Sequence, residues 1–247
     1  MYVGQLADLI AIQLLNWRWS WTSTIATGMV APLISLIGLS RVSERGGSDD
    51  LLHLLVGALV LGICFENQNK LASHFAYMRA TGALSQFAAL PVRPALLVLA
   101  SATAFFLLSL PSLFVTAVLG SLFLQVGFHL HLLIVIVVPM VTLPMAGLGV
   151  VIGSWARNIN QAGAISVAST MVMVLIGGIL VPPGSLPAGA SIVGKISPAT
   201  YAASAMNQVI AGPVTSRLLS DACFLIAFTV VTFVLATRRI RWRSGEE

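Results

Sequence analysis

Apolar stretches about as long as a bilayer is thick, separated by short polar turns, run through this chain and leave it few ways to fold. Inside hydrocarbon every backbone N–H and C=O must bond within its own segment, so stretches of this kind become helices. Each crossing needs roughly 20 residues, and the chain has 247. Six such stretches fit: 22–40, 51–74, 95–119, 132–155, 162–181 and 218–237. The expected fold is an all-α polytopic membrane protein with six transmembrane helices, one transmembrane domain over 1–247. Only 9% of residues are charged, against about 25% in soluble domains. No part is polar enough for a soluble catalytic domain.

Residues 1–21 suit an amphipathic helix lying on the membrane surface, carried by Leu6, Leu9, Ile10, Gln13 and Leu14. Trp17, Trp19 and Trp21 around Arg18 read as an interfacial belt, or else as the start of the first span. The stretch is not expected to be a signal peptide, because it has no basic start and carries Asp8.

The second span changes character at Glu66, where Glu-Asn-Gln-Asn-Lys follows a plainly apolar run from Leu51 to Phe65. At 1.5 Å per residue, Glu66 lies about 22 Å along that helix, still inside a core about 30 Å thick. A carboxylate there is costly unless it faces protein or water. Glu66 and Lys70 stand four apart in the favourable order and can pair on one face. Two readings stay open: a polar wall of an inward-facing vestibule, or a span that ends at Phe65 with a solvated helix end.

After it, 78–91 reads as a short amphipathic helix between spans, carrying Arg79, Leu84 and Phe87. It is either a docking element for a partner or a surface linker. Span four ends in Gly147–Ser154, rich in small residues that let helices approach closely. Gly177 to Gly212 then holds Pro182, Pro183, Pro187 and Pro198 among apolar residues. It cannot be one continuous helix, yet it is too apolar for a solvated loop. A re-entrant segment over 182–213, a pair of short helices breaking near Pro187 and Pro198, is the expectation.

With both termini inside, nine basic residues fall on the cytoplasmic side and four outside, which favours that orientation. The excess of basic over acidic residues does not indicate nucleic acid, since no basic stripe interleaves with aromatics. Gly189–Lys195 matches GxxxxGK, but Ile196 stands where a phosphate loop needs Ser or Thr. No span pairs two acids for intramembrane hydrolysis, and His129 and His131 alone are a weak metal pair. Cys64 and Cys223 sit at different depths, so no disulfide is expected. A carrier coupled to ions through Glu66 is the alternative kept.

These parts in this order resemble the permease subunit of ABC-2 type exporters over nearly the whole chain. The carrying residues are Arg18 before a proline-containing first span, Arg79-Ala-Thr-Gly82-Ala-Leu84 through Pro91-Val92-Arg93, and the small-residue span four. Gly177-Gly178-Ile-Leu-Val-Pro182, Leu186-Pro187 and Ile196-Ser197-Pro198-Ala199-Thr200-Tyr201 complete them. The 79–93 stretch looks most like daunorubicin-exporter permeases. It departs from the family in having no acidic residue beside Gly82.

The resemblance implies a non-enzymatic transport subunit for multidrug or lipid efflux in the bacterial inner membrane. A second permease chain pairs with it, in surrounding membrane lipid, and two ATP-binding subunits carry ATP and Mg, so this chain holds no cofactor. Arg79, Gly82, Leu84, Phe87 and Pro91 would form the coupling helix (78–91) that meets the ATPase. Spans one, two and five would line the path, with Met29, Ser35, Glu66, Asn67, Thr170 and Met173 as candidates. On a span, though, a methionine is also ordinary packing. Pro182, Pro187, Pro198 and Tyr201 would shape the external lid.

Overall fold

A computed structural model describes residues 2–16, 21–43, 48–89, 92–127, 131–179 and 194–239. Pro91, Pro182, Pro187 and most of the GxxxxGK stretch lie outside the described residues. What is described is helix joined by turns. The elements are α1 (Tyr2–Asn16), α2 (Trp21–Ser43), α3 (Ser48–Ile63), a π-helical turn (Cys64–Asn69), α4 (Lys70–Ala80) and α5 (Ala83–Ala88). They continue as α6 (Pro94–Leu124), α7 (Ile134–Trp155), α8 (Ile159–Ile176), α9 (Pro198–Ile210) and α10 (Arg217–Arg239).

Among the described residues, five helices are long and apolar enough to cross a membrane: Asp50–Ala80, α6, α7, α8 and Arg217–Arg238. The helix α2, 23 residues with a shorter apolar stretch at Gly28–Gly38, runs against α3 and α6; it covers the expected first span 22–40 but is not among the five. Pro32, Pro111, Pro139 and Pro144 sit inside their helices. Membrane helices accommodate such prolines, because neighbouring groups satisfy the backbone that proline frees.

The second span does not stop at Phe65. It stays helical for 31 residues, from Asp50 to Ala80. The polar sequence Cys-Phe-Glu-Asn-Gln-Asn is absorbed as a π-helical turn, with Cys64, Glu66, Asn67 and Gln68 buried. The reading of a solvated helix end is therefore set aside. Wide turns of this kind are rare and often mark functional positions.

Helix α7 stands at the centre, packed against α4, the π-turn, α9 and α10. Lipid gives no hydrophobic drive between helices, so close packing must hold them. Gly149 and Gly153 supply it. A methyl group at Gly149 would collide with the backbone carbonyl of Gln68, and one at Gly153 with that of Ala72. The small residues of span four thus let two backbones touch. Helix α1 lies along α6, anchored where Gln13 Nε2 donates to Ser101 Oγ at 3.2 Å.

The stretch 78–91 is divided. Met78 to Ala80 finish α4, and Gly82, at φ 74°, turns the chain into the six-residue α5. The left-handed conformation at Gly82 is one that glycine adopts without strain. On the far side of the bundle α9 begins with Pro198 at its first turn, a position that lacks a bonded N–H anyway. Its 13 residues are too short to cross, and one face is buried against α3, α7 and α10. It is a buried helix, not an extended exposed loop. Cys64 is buried and Cys223 exposed, and neither is bonded to the other.

Candidate functional site

A cavity of about 820 Å³ opens beside the second span. It runs from the π-turn down α4 to the short helix α5. Glu66, Asn69, Lys70, Ser73, His74 and Tyr77 form one wall, spaced so that one side of the helix faces inward. Gln13 of α1, Gly28 of α2, Phe87 of α5, and Ile159 and Val167 of α8 close it. Cavities of some 300–1,000 Å³ with apolar walls and a few polar groups suit drug-sized ligands.

Lys70 Nζ donates to Glu66 Oε2 at 2.6 Å, so the two charges at membrane depth neutralise each other. A lone charge there would be costly. The other carboxylate oxygen, Glu66 Oε1, has no hydrogen-bond partner among the described residues. It sits against α2 at Gly28, where any side chain would collide with it. Gln13 Oε1 and Asn69 Nδ2 are also buried without partners among the described residues. Each unmet group costs about 1–3 kcal/mol. A concentration of them in one cavity wall is a strong sign of a site kept for something else.

The rest of the π-turn bolts helices together. Asn67 Nδ2 donates to Ile63 O at 3.3 Å and to Ser109 Oγ of α6 at 3.4 Å. Gln68 Nε2 donates to Ser166 O of α8 at 3.3 Å. Thr170 Oγ1 donates to Asn69 Oδ1 at 3.3 Å. Of the residues named for the path, Glu66 lines the cavity. Asn67 and Thr170 are buried in the contacts just described. Met173 packs half-buried against the central core, and Met29 is half-buried on α2. Ser35 Oγ donates to Pro32 O at 2.7 Å within its own helix.

At the elbow, Leu84 is buried among Phe75, Met78 and Leu97, and Phe87 packs on the same cluster. Arg79 Nη1 donates to Ser154 O at 3.0 Å and Ala156 O at 3.1 Å. It therefore caps the end of α7, whose last carbonyls lack helical partners. The side chains exposed around Gly82 include Arg79, Thr81, Ser85 and Gln86.

Around α9, Tyr201 stacks on Phe224 with ring centres 3.9 Å apart, and its hydroxyl donates to Lys195 O at 2.8 Å. Pro198 is buried.

Sequence reasoning missed Gln13, Asn69, Ser73 and His74. The last three were within reach, since they follow Glu66 along one helical side. Gln13 was not, because only the docking of α1 on α6 brings it near.

A bundle of membrane-crossing helices with a drug-sized, charge-neutral cavity defines a multi-pass membrane protein of the transport class. Residues 5–211 match the ABC-2 type transporter family, and the chain belongs to it. It is a permease component of an ABC transporter, and members of this family dimerise and work with an ATP-binding subunit. No curated protein matches the chain.

Proposed function

We propose that this chain is the membrane half of an ATP-driven exporter that moves an amphipathic drug or lipid-like molecule outward across the bacterial inner membrane. Two such permeases pair, as a homodimer or with a sister chain, and two ATPase subunits bind ATP and Mg below them. Both termini face the cytoplasm. The observation that carries the reading is the cavity, which joins the buried Glu66–Lys70 pair to helix α5.

The elbow of α4 and α5 is the point of contact with the ATPase. Thr81, Ser85 and Gln86 offer the outer surface, while Leu84 and Phe87 tie α5 to the core, so a push on α5 moves the span behind it. Arg79 extends the same push to the end of α7. Helix α9, with Pro198 and Tyr201, caps the opposite end as a lid.

The ion-coupled alternative needs Glu66 free to take up and release an ion. The 2.6 Å pair with Lys70 speaks against that, as does membership of a family that works with an ATP-binding subunit.

Co-expression with a candidate ABC-type ATPase subunit, followed by co-purification and ATPase assay in liposomes, tests the proposal. The expected result is a stable assembly whose hydrolysis is stimulated by amphipathic compounds and uncoupled from transport by Leu84→Asp. Transport by this chain alone, without ATP and abolished by Glu66→Gln, would sink it.

A further inference from the structure

The cavity wall also specifies what kind of head group it takes. Glu66 and Lys70 are the only Asp, Glu, Lys or Arg among the described residues that line it, and they are paired. The wall therefore offers no net formal charge to a ligand. A charged head would arrive desolvated with no counter-charge, or would have to break a buried pair, which is strongly unfavourable.

The unmet groups are of both kinds. Glu66 Oε1 and Gln13 Oε1 accept, and Asn69 Nδ2 donates. These come from separate elements, α1 and the π-turn, and all three residues line the same cavity. A hydroxyl both donates and accepts, so it is the simplest group that answers such a mixture. Protonated amines only donate, a quaternary ammonium does neither, and phosphate diesters or sulfate esters only accept. The rest of the wall, with Phe65, Met78, Ile159 and Val167, is apolar and suits a hydrocarbon or ring body.

We propose that the cavity binds an uncharged amphiphile through a hydroxyl-bearing head held by Gln13, Glu66 and Asn69. This rests on the reading of the cavity as the cargo site, and narrows it to one chemical class.

The test uses the full chain in phosphatidylcholine nanodiscs and three radiolabelled probes with one dodecyl chain. Their heads are glucoside, trimethylammonium and sulfate, each well below its micelle concentration and measured against empty discs. The expected result is saturable binding of the glucoside alone, weakened about tenfold by Gln13→Leu and by Asn69→Leu, as the loss of one or two hydrogen bonds implies. Tighter saturable binding of either charged probe overturns the head-group assignment while leaving the cargo site standing. Glucoside binding unchanged in both variants overturns it too. Partition alike in loaded and empty discs for all three probes removes the cavity as a cargo site, and both proposals with it. The three-probe comparison on the unaltered chain stands even if a variant folds poorly.

Discussion

One polar region lies near the start of the second span and another at its middle, and they are built on opposite principles. Near its start, around α9, the polar groups are matched. Asp221 Oδ2 accepts from Ser204 Oγ at 2.7 Å and Gln208 Nε2 at 3.2 Å, and Gln208 Oε1 in turn accepts from Thr215. Asn207 Nδ2 lies 3.4 Å from His53 Nδ1, and His53 Nε2 lies 3.3 Å from Gly178 O. A single neutral tautomer, protonated on Nε2, serves both contacts. Only Ser197 Oγ lacks a partner among the described groups there.

At the π-turn the balance is reversed. Glu66, Asn67, Gln68 and Asn69 each leave one buried polar atom without a partner among the described residues. A satisfied network fixes a helix in place, whereas an unsatisfied one keeps binding capacity in reserve. The first region is a fastening, and the second is the region we propose as a site.

The contrast can be broken experimentally, and the largest effect is expected in the π-turn. Lys70→Met leaves Glu66 as a buried, unpaired carboxylate and should cost about 3–5 kcal/mol of stability. Thermal unfolding in detergent should show most of that loss recovered by combining Lys70→Met with Glu66→Gln. A double variant no more stable than Lys70→Met alone would mean the pair does more than neutralise charge.

On the fastened side, Asp221→Leu strands Ser204 and Gln208, and should destabilise by about 2–4 kcal/mol. Hydrogen exchange should rise in α9 before it rises elsewhere, and uniform exchange across the bundle would contradict a local role. Gly28→Ala pushes on Glu66 and should cost about 1–3 kcal/mol through overpacking. It should also shrink the cavity, seen as slower labelling of a cysteine placed at Ser73. The smallest effect is expected at the elbow. Arg79→Ala removes two exposed or half-exposed hydrogen bonds and should cost about 1 kcal/mol. A loss of ATPase coupling far beyond that modest instability would identify Arg79 as the strut between α5 and α7.

Much of this was legible in the chain. The helical bundle follows from hydropathy, and the close approach of α7 from Gly147 to Ser154. The Glu66–Lys70 pair follows from spacing. Other features were hidden for physical reasons. A π-turn has no separate hydrophobic period over six residues, so a polar patch inside a span looks like its end. The burial of Leu84 was not legible because amphipathicity shows a helix has two sides without showing which neighbour covers each.

By itself, then, the sequence determined that the chain lives in lipid as packed helices, since its apolar runs can satisfy their backbones no other way. The tertiary structure decided where the polar minority goes. A buried glutamine on α1 and an asparagine on span two become one site only when α1 docks on α6 and Gly28 lets α2 close on Glu66. Distances of that kind are set by packing between segments far apart in the chain, which local pattern does not encode.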